Sequence, residues 1–350
     1  MRVLHTADTH IGTRQYGLEE RRADFSQAFQ QVIEIAIEER VAAIVHSGDL
    51  FDDRYPSAED LHEALRTLFK LKEAGIPFLG VVGNHEQRRN LQWLDLFAQL
   101  GLAVHLNLEP HELGGICFSG LDYSGRRELE PPHVKGGVLV CHQLLDRVHA
   151  GGELHYEDLL NCGAQHVLMG DYHEHQVWQE KDVLITYPGS TERWSLDERE
   201  PRGINLLDLE TGRLDRRELS TRKFLYISDE EDPIKGINAH RQQLKGAVVC
   251  VYLAHDGQSI QEIEEHGRSR GALAVRVRDH REELDEQEQR VSVQLEFGNL
   301  DSLISERLAQ LNLSKITQDI DGIIRHPKIV DSRVDDEVTR LLEAAEKNGK

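Results

Sequence analysis

Four cysteines in 350 residues, at positions 117, 141, 162 and 250, are too few and too scattered for a disulfide framework or a zinc finger. No apolar run approaches the roughly 18 residues that a membrane-spanning helix needs. Asp8 follows the start so closely that a secretory leader has no room. The expectation is a soluble, cytoplasmic protein with no membrane partner. Positive charge is also scarce, with 41 Lys and Arg against 62 Asp and Glu, a formal net charge of −21. Taken alone, that balance argues against nucleic acid, because neutralisation of phosphates by Lys and Arg normally dominates such binding. Bound divalent cations would change the balance, since they can receive a phosphate that the bulk surface repels. A salt-rich cytoplasm would also screen long-range repulsion within a few ångströms. Internal repeats and low-complexity tracts are missing as well.

What the chain does have is a repeated grammar. Five apolar segments each run into a polar residue of metal-ligand type: Val3-Leu4 into Asp8 and His10, Ala43-Ile44-Val45 into Gly48-Asp49, Leu79 to Val82 into Gly83-Asn84-His85, Val138-Leu139-Val140 into His142, and Val167-Leu168-Met169 into Gly170-Asp171-Tyr172-His173. Short apolar runs with glycine nearby are the pattern of buried strands. In α/β sheets, ligands gather just beyond the carboxyl ends of such strands. The spacing therefore predicts one polar site built at five strand ends.

At this length a single core is not expected. Residues 1–218 read as alternating strands and helices, with helices over roughly 19–39, 58–74 and 90–100 and later strands near 103–106, 116–121, 183–187 and 204–209. Thr211-Gly212-Arg213 reads as a hairpin turn closing this domain. Residues 219–298 change to short strands at 247–253, 273–277 and 291–295 among charged helical segments, a small α+β domain. Residues 299–350 read as a helical tail, with Leu300, Leu303, Ile304, Leu308 and Leu311, then Val334, Val338, Leu341, Leu342 and Ala345, at helical spacing around Pro327. Such a tail folds back or docks a partner helix.

Asp8, His10, Asp49, Asn84, His142, Asp171 and His173 form a mixed oxygen and nitrogen set without thiolate, which suits Mn²⁺, Fe or Zn²⁺ and leans towards Mn²⁺. Seven ligands exceed one ion, whereas two ions about 3.5–4 Å apart sharing a carboxylate would use them all.

The motifs Asp8-x-His10, Gly48-Asp49-x-x-Asp52, Gly83-Asn84-His85-Glu86, His142 and Gly170-x-x-His173 resemble the five phosphoesterase motifs of the calcineurin-like metallophosphoesterases. The openings His5-Thr6-Ala7-Asp8-Thr9-His10-Ile11-Gly12 and Gly48-Asp49-Leu50-Phe51-Asp52 are similar to those of the Mre-eleven (meiotic recombination eleven) and SbcD family of DNA double-strand-break repair nucleases, in its archaeal form. The resemblance implies a layered β-sandwich phosphoesterase domain flanked by helices, with the second domain capping the site and selecting DNA. It implies two Mn²⁺ per subunit, with Asp8, His10 and His173 holding one, Asn84, His142 and Asp171 the other, and Asp49 bridging. His85 would act on the leaving oxygen. The implied activities are 3′-to-5′ exonuclease on duplex ends and endonuclease on single strands. The implied partners are DNA, a Rad-fifty coiled-coil ABC ATPase docked on the tail, and a second copy of the chain, with the stripes Leu61, Leu65, Leu68 and Leu94, Phe97, Leu100 facing either the core or a twin. The family's last motif usually carries histidine where this chain has Asp171; a carboxylate there favours a harder metal, and His175 is an alternative ligand. Rivals are a dimetal phosphodiesterase for small substrates and a scaffold bridging DNA and ATPase with weakened catalysis.

Arg14, Arg21, Arg22, Arg88 and Arg89 follow two of the motifs closely and could touch DNA phosphates, Arg14, Arg88 and Arg89 above all. His5, His46, His62, His149 and His166 read as structural histidines and Cys141 as a core thiol. Asp52 and Asp53 divide between orienting ligands and starting a helix.

Overall fold

A computed structural model describes residues 1–125, 129–229, 232–253 and 257–279 of the chain. Fifteen strands and six helices follow in the order β1 (Arg2–Thr6), α1 (Glu19–Glu38), β2 (Ala43–Ser47), α2 (Ala58–Glu73), β3 (Phe78–Val81), α3 (Trp93–Gln99), β4 (Val104–His105), β5 (His111–Leu113), β6 (Ile116–Leu121), β7 (Val138–His142), α4 (Tyr156–Leu159), β8 (His166–Gly170), β9 (Gln176–Glu180), β10 (Val183–Tyr187), β11 (Gly203–Asp208), β12 (Leu214–Glu218), β13 (Phe224–Asp229), α5 (Pro233–Ala239), β14 (Val248–Leu253), α6 (Ile260–Ser269) and β15 (Ala274–Asp279).

The strands make two six-stranded sheets, ordered β12-β11-β1-β2-β3-β4 and β5-β6-β7-β8-β10-β9, and a third of three strands, β13-β14-β15. The large sheets lie face to face. Val3, Val45, Leu79, Val81, Val138, Val140 and Leu168 fill the layer between them. On the far side of the first sheet, Leu4, Ile44 and Phe78 pack against Phe29, Ile33, Leu68 and Phe97 of the helices. On the far side of the second, Leu139, Cys141, Val167 and Met169 meet Tyr156 and Leu159. Neighbouring residues of one strand thus enter different cores, and strands buried on both faces read as continuous apolar runs. The layered α/β sandwich expected from the sequence is the fold observed, and Cys141 is the core thiol expected.

Helix α2 starts at Ser57, whose hydroxyl accepts from the Asp60 amide while Asp60 accepts from the Ser57 amide. The third expected helix begins later than its pattern suggests. Gln92 accepts from the Arg88 amide and donates back to the Arg88 carbonyl, which closes a turn over 88–92 and holds the start of α3 at Trp93. The hairpin at Thr211-Gly212-Arg213 is present between β11 and β12, with Gly212 at φ 70°. Beyond it, β13, β14 and β15 are parallel, with a small core that includes Ile237 and Ile263 from α5 and α6. Strand β13, whose sequence is Phe-Leu-Tyr-Ile-Ser-Asp, falls on the expected boundary and was not anticipated. The expected strand at 291–295 and the tail at 299–350 lie outside the described residues.

His105 on β4 ties three elements together. Its Nδ1 lies 2.6 Å from Asp95 Oδ1 of α3 and its Nε2 3.0 Å from Asp122, which also accepts from the Val82 amide just beyond β3. Burial opposes a charged imidazole here, but the hydrogen bonds and charges of Asp122 and Asp95 outweigh it and raise the pKa to about 9. A folded-state pKa above the unfolded value near 6.5 gives stability that is complete below that pH and is lost as pH rises through about 9. The urea midpoint of the protein should therefore exceed that of His105→Asn clearly at pH 6 and by much less at pH 10. An equal gap at both values would remove His105 as the cause.

Candidate metal centre

Each expected ligand sits where its strand ends. Asp8 and His10 follow β1, Asp49 follows β2, Asn84 and His85 follow β3, His142 ends β7, and Asp171 and His173 follow β8. The site therefore lies at the common carboxyl edge of the two large sheets, with three strands from one and two from the other. Reaching it requires unusual backbone. Asp8, His10, Asp49 and Asp171 all adopt positive φ, at 51°, 48°, 57° and 86°. Such conformations are uncommon outside glycine and concentrate at functional sites.

Glycine does the rest of the fitting. A Cβ on Gly83 would overlap the Asp49 carboxylate, one on Gly48 the His142 ring, and one on Gly170 the Ser47 carbonyl. These three positions need glycine because a carboxylate, an imidazole and a backbone carbonyl already fill the space.

The side chains converge. His142 Nδ1 donates to the Ser47 carbonyl at 2.7 Å, which leaves Nε2 facing Asn84 Oδ1 at 2.9 Å, Asp49 Oδ2 at 3.4 Å and Asp171 Oδ1 at 3.7 Å. His173 Nδ1 donates to Glu198 Oε1 at 2.7 Å, and its Nε2 stands 3.2 Å from Nε2 of His10. His10 Nδ1 is 3.2 Å from Asp52 Oδ1. With its Nδ1 proton given to Glu198, His173 has an Nε2 lone pair free to meet a proton from His10 or a cation. Asp8 Oδ1 accepts from the Asp171 amide at 3.1 Å, whereas Asp8 Oδ2 is buried without a hydrogen-bond partner. An orphaned buried carboxylate oxygen is costly unless a cation meets it.

Among the described residues, three groups of acidic and imidazole side chains are close enough to share an ion: Asp8, His10 and His173; Asp8, Asp49 and His142; and His10, Asp52 and His85. The donors are oxygen and nitrogen without sulfur, so these residues fit divalent metals of borderline to hard character.

Electrostatics point the same way. Burial alone raises a carboxyl pKa, but the His142 charge and hydrogen bond, with His10, hold Asp49 well below the usual range. Burial likewise works against a charged His142, yet Asp49, Asp171 and Asp8 carry it well above the ordinary value. His173 rises to about 9 against burial, through the Glu198 hydrogen bond and Asp8. Asp8 is the exception, because burial outweighs the neighbouring histidines and raises its pKa.

Supporting residues were less legible in the sequence. Glu198 holds His173 and lies in the charged run Asp197-Glu198-Arg199-Glu200, which reads locally as solvated surface. Glu86, present in the motif, accepts from the Phe51 and Gly83 amides, and burial beside Asp49 raises its pKa to about 7. His46 sits 2.7 Å from the Thr9 hydroxyl, steadying the turn between Asp8 and His10, and His5 contacts Ser47. His5, His46 and His166 are structural, as expected. Of the divided pair, Asp52 is at the site. His175 is in none of the three groups that could share an ion; its ring is half-buried beside Asn205 and Arg216.

The arginines separate. Arg21 is fully buried, paired with Asp24 at 2.6 Å and Glu192 at 3.4 Å, and Arg22 pairs with Asp60 at 2.6 Å. The expectation that Arg21 could reach DNA fails because it has no exposed surface, and Arg22 is largely taken up by the carboxylate at the start of α2. Arg14 is exposed and pairs with Glu19 at 3.2 Å. Arg88 stacks over Tyr55 and Trp93 at 5.4 and 4.9 Å. With Arg54, Arg89, Gln87, Asn90 and Leu91, Arg88 and Tyr55 line a cleft of about 560 Å³ that no carboxylate lines. It flanks the loops that carry Asp52 and His85.

Replacing Glu198 by Gln would remove the anion behind His173. Loss of such an orienting partner typically costs about 10–100-fold in metal affinity, so calorimetric titration with Mn²⁺ should show a drop of that order. Unaltered affinity would remove Glu198 from the site.

Residues 1–202 match the family model for calcineurin-like phosphoesterases. Among curated proteins, the chain is 40% identical over 363 residues to the DNA double-strand break repair protein Mre11 of Haloferax volcanii, spanning 98% of this chain and 81% of that protein. The protein of the same name from Halobacterium salinarum is 37% identical over 372 residues, with 98% and 94% spanned. That of Methanosarcina mazei is 39% identical over 369 residues, and the match spans 98% of this chain but 60% of its relative.

Proposed function

The chain belongs to the calcineurin-like phosphoesterases, hydrolases of phosphate esters, and we propose that it is a DNA double-strand break repair nuclease that works with two divalent ions, Mn²⁺ by preference. The observation that carries this reading is the convergence of Asp8, His10, Asp49, His142 and His173 around an orphaned carboxylate oxygen. Asp8, His10 and His173 would hold one ion, Asn84, His142 and Asp171 the other, and Asp49 would be shared. When bound, such ions polarise phosphoryl oxygens and supply a nucleophile at neutral pH.

The protein's own groups do the rest. The Ser47 carbonyl and Glu198 fix the His142 and His173 tautomers, so that each presents Nε2. His85 is held by its amide on Asp49 Oδ1 and its Nδ1 on the Asp52 carbonyl, both at 3.0 Å. With Nδ1–H donating, the opposite ring nitrogen is the one left to meet substrate. As an imidazolium, protonated at both nitrogens, His85 would stabilise charge on the phosphate and pass its Nε2 proton to the departing 3′ oxygen, leaving the neutral Nδ1–H tautomer. Arg88 and Arg89, in the cleft beside this loop, and Arg14 would meet the DNA backbone. The reading includes exonuclease action from 3′ ends of duplexes and endonuclease action on single strands, as the motif resemblance implies. It also includes a homodimer, a cytoplasmic location and a Rad-fifty-type ATPase partner docked on residues 299–350.

Asp171, in place of the family's usual histidine, favours a second reading in which catalysis is weak and the protein mainly bridges DNA and the ATPase. One assay separates them. A 3′-labelled linear duplex should shorten in Mn²⁺ and not in chelator. His85→Ala should cut that rate about 10²–10⁴-fold, the usual contribution of a general acid, while Mn²⁺ binding survives. Hydrolysis of a chromogenic phosphodiester without any DNA cleavage would point to a small-substrate enzyme, and inertness towards both to the scaffold.

A further inference from the structure

Trp194 belongs to none of the hydrophobic clusters, and 40% of it remains exposed although it stands among the site's histidines. Its ring centroid is 5.8 Å from His85, 5.8 Å from His173 and 5.9 Å from His10. Three hydrogen bonds fix it: its amide donates to Glu198 at 3.0 Å, its carbonyl accepts from Gln15 at 2.7 Å, and its indole N–H donates to Asp52 Oδ1 at 3.0 Å. The ring is thus held in place before any ligand arrives, and neither burial nor packing accounts for its presence. An ordered aromatic surface loses little conformational entropy on binding. Every nucleobase offers a face to it, so stacking tolerates any sequence.

We propose that Trp194 is a stacking platform for the unpaired base of the nucleotide adjoining the phosphate under attack, so that the site binds a strand by one base as well as by its backbone. This rests on the nuclease reading above. A platform beside His85 favours a base that has left its partner, because a base paired inside a duplex has both faces covered by the stacked pairs above and below it. On an acidic protein, stacking also supplies affinity that charge does not.

The alternative role for Trp194 is to steady Asp52 behind His10, and two variants separate the roles. Trp194→Phe keeps an aromatic face and removes the indole N–H; Trp194→Ala removes both. The substrates are a single-stranded oligonucleotide and the same strand with a tetrahydrofuran abasic residue beside the cleaved phosphate, in Mn²⁺. The wild type should prefer the intact strand roughly tenfold in kcat/KM, within the range that base stacking supplies. Trp194→Ala should erase that preference mainly through KM, and Trp194→Phe should restore most of it. A preference that survives in Trp194→Ala would overturn the platform. So would equal losses in Phe and Ala on both strands, which would mark Trp194 as a positioning residue for Asp52. Failure of the wild type to cut either strand would instead overturn the nuclease reading and the platform with it.

Discussion

Everything around the site depends on one constraint: carboxylates and imidazoles have been withdrawn from water at a single point, where their charges have to be balanced by protons or by a metal ion. Moving an ion of either sign into a protein interior costs on the order of several kcal/mol even after relaxation. Asp8, Asp49, His10 and His142 are all essentially buried. Their proximity raises and lowers one another's pKa values, and the buried Asp8 oxygen still has no partner. The positive φ angles of four ligands and the three glycines that no larger residue could replace are the steric cost of gathering those groups. The two packed sheets supply the rigidity that keeps such strained turns in place.

A layer of residues outside the ligands turns this cluster into an oriented site. The Ser47 carbonyl and Glu198 each take one imidazole N–H, so the remaining ring nitrogens point inward. Glu198 also accepts from the Ser190 hydroxyl and the Trp194 amide. One buried carboxylate therefore sets a ligand and the aromatic wall beside it together. Asp52 plays a similar double part between His10 and Trp194.

The strongly acidic composition ceases to contradict DNA as a substrate once charge is considered locally. Several of the arginines are used internally: Arg21, Arg22, Arg193 and Arg202 are committed to carboxylates or carbonyls. The cleft with Arg54, Arg88 and Arg89 is different, because no acid lines it. Net charge governs long-range attraction, whereas contact with a phosphate is decided within a few ångströms.

The candidate ligands Asp8, Asp49, Asn84, His142 and His173 were legible in the sequence because each follows closely on an apolar run, with glycine before the polar residue at Asp49, Asn84 and Asp171. The α/β class and the turn at Thr211-Gly212-Arg213 were legible for the same reason, since strand burial and turn chemistry act over a few residues. The sequence could not show that the five strands divide between two sheets, that Arg21 lies buried on Asp24 and Glu192, or that Glu198 and Trp194 belong to the site. Those facts join residues up to 179 positions apart, as Gln15 and Trp194 are. Local sequence set which chemistry stands at each strand end; only the packing of one sheet on the other decided which side chains surround it, because contact across a core depends on topology rather than on neighbours along the chain.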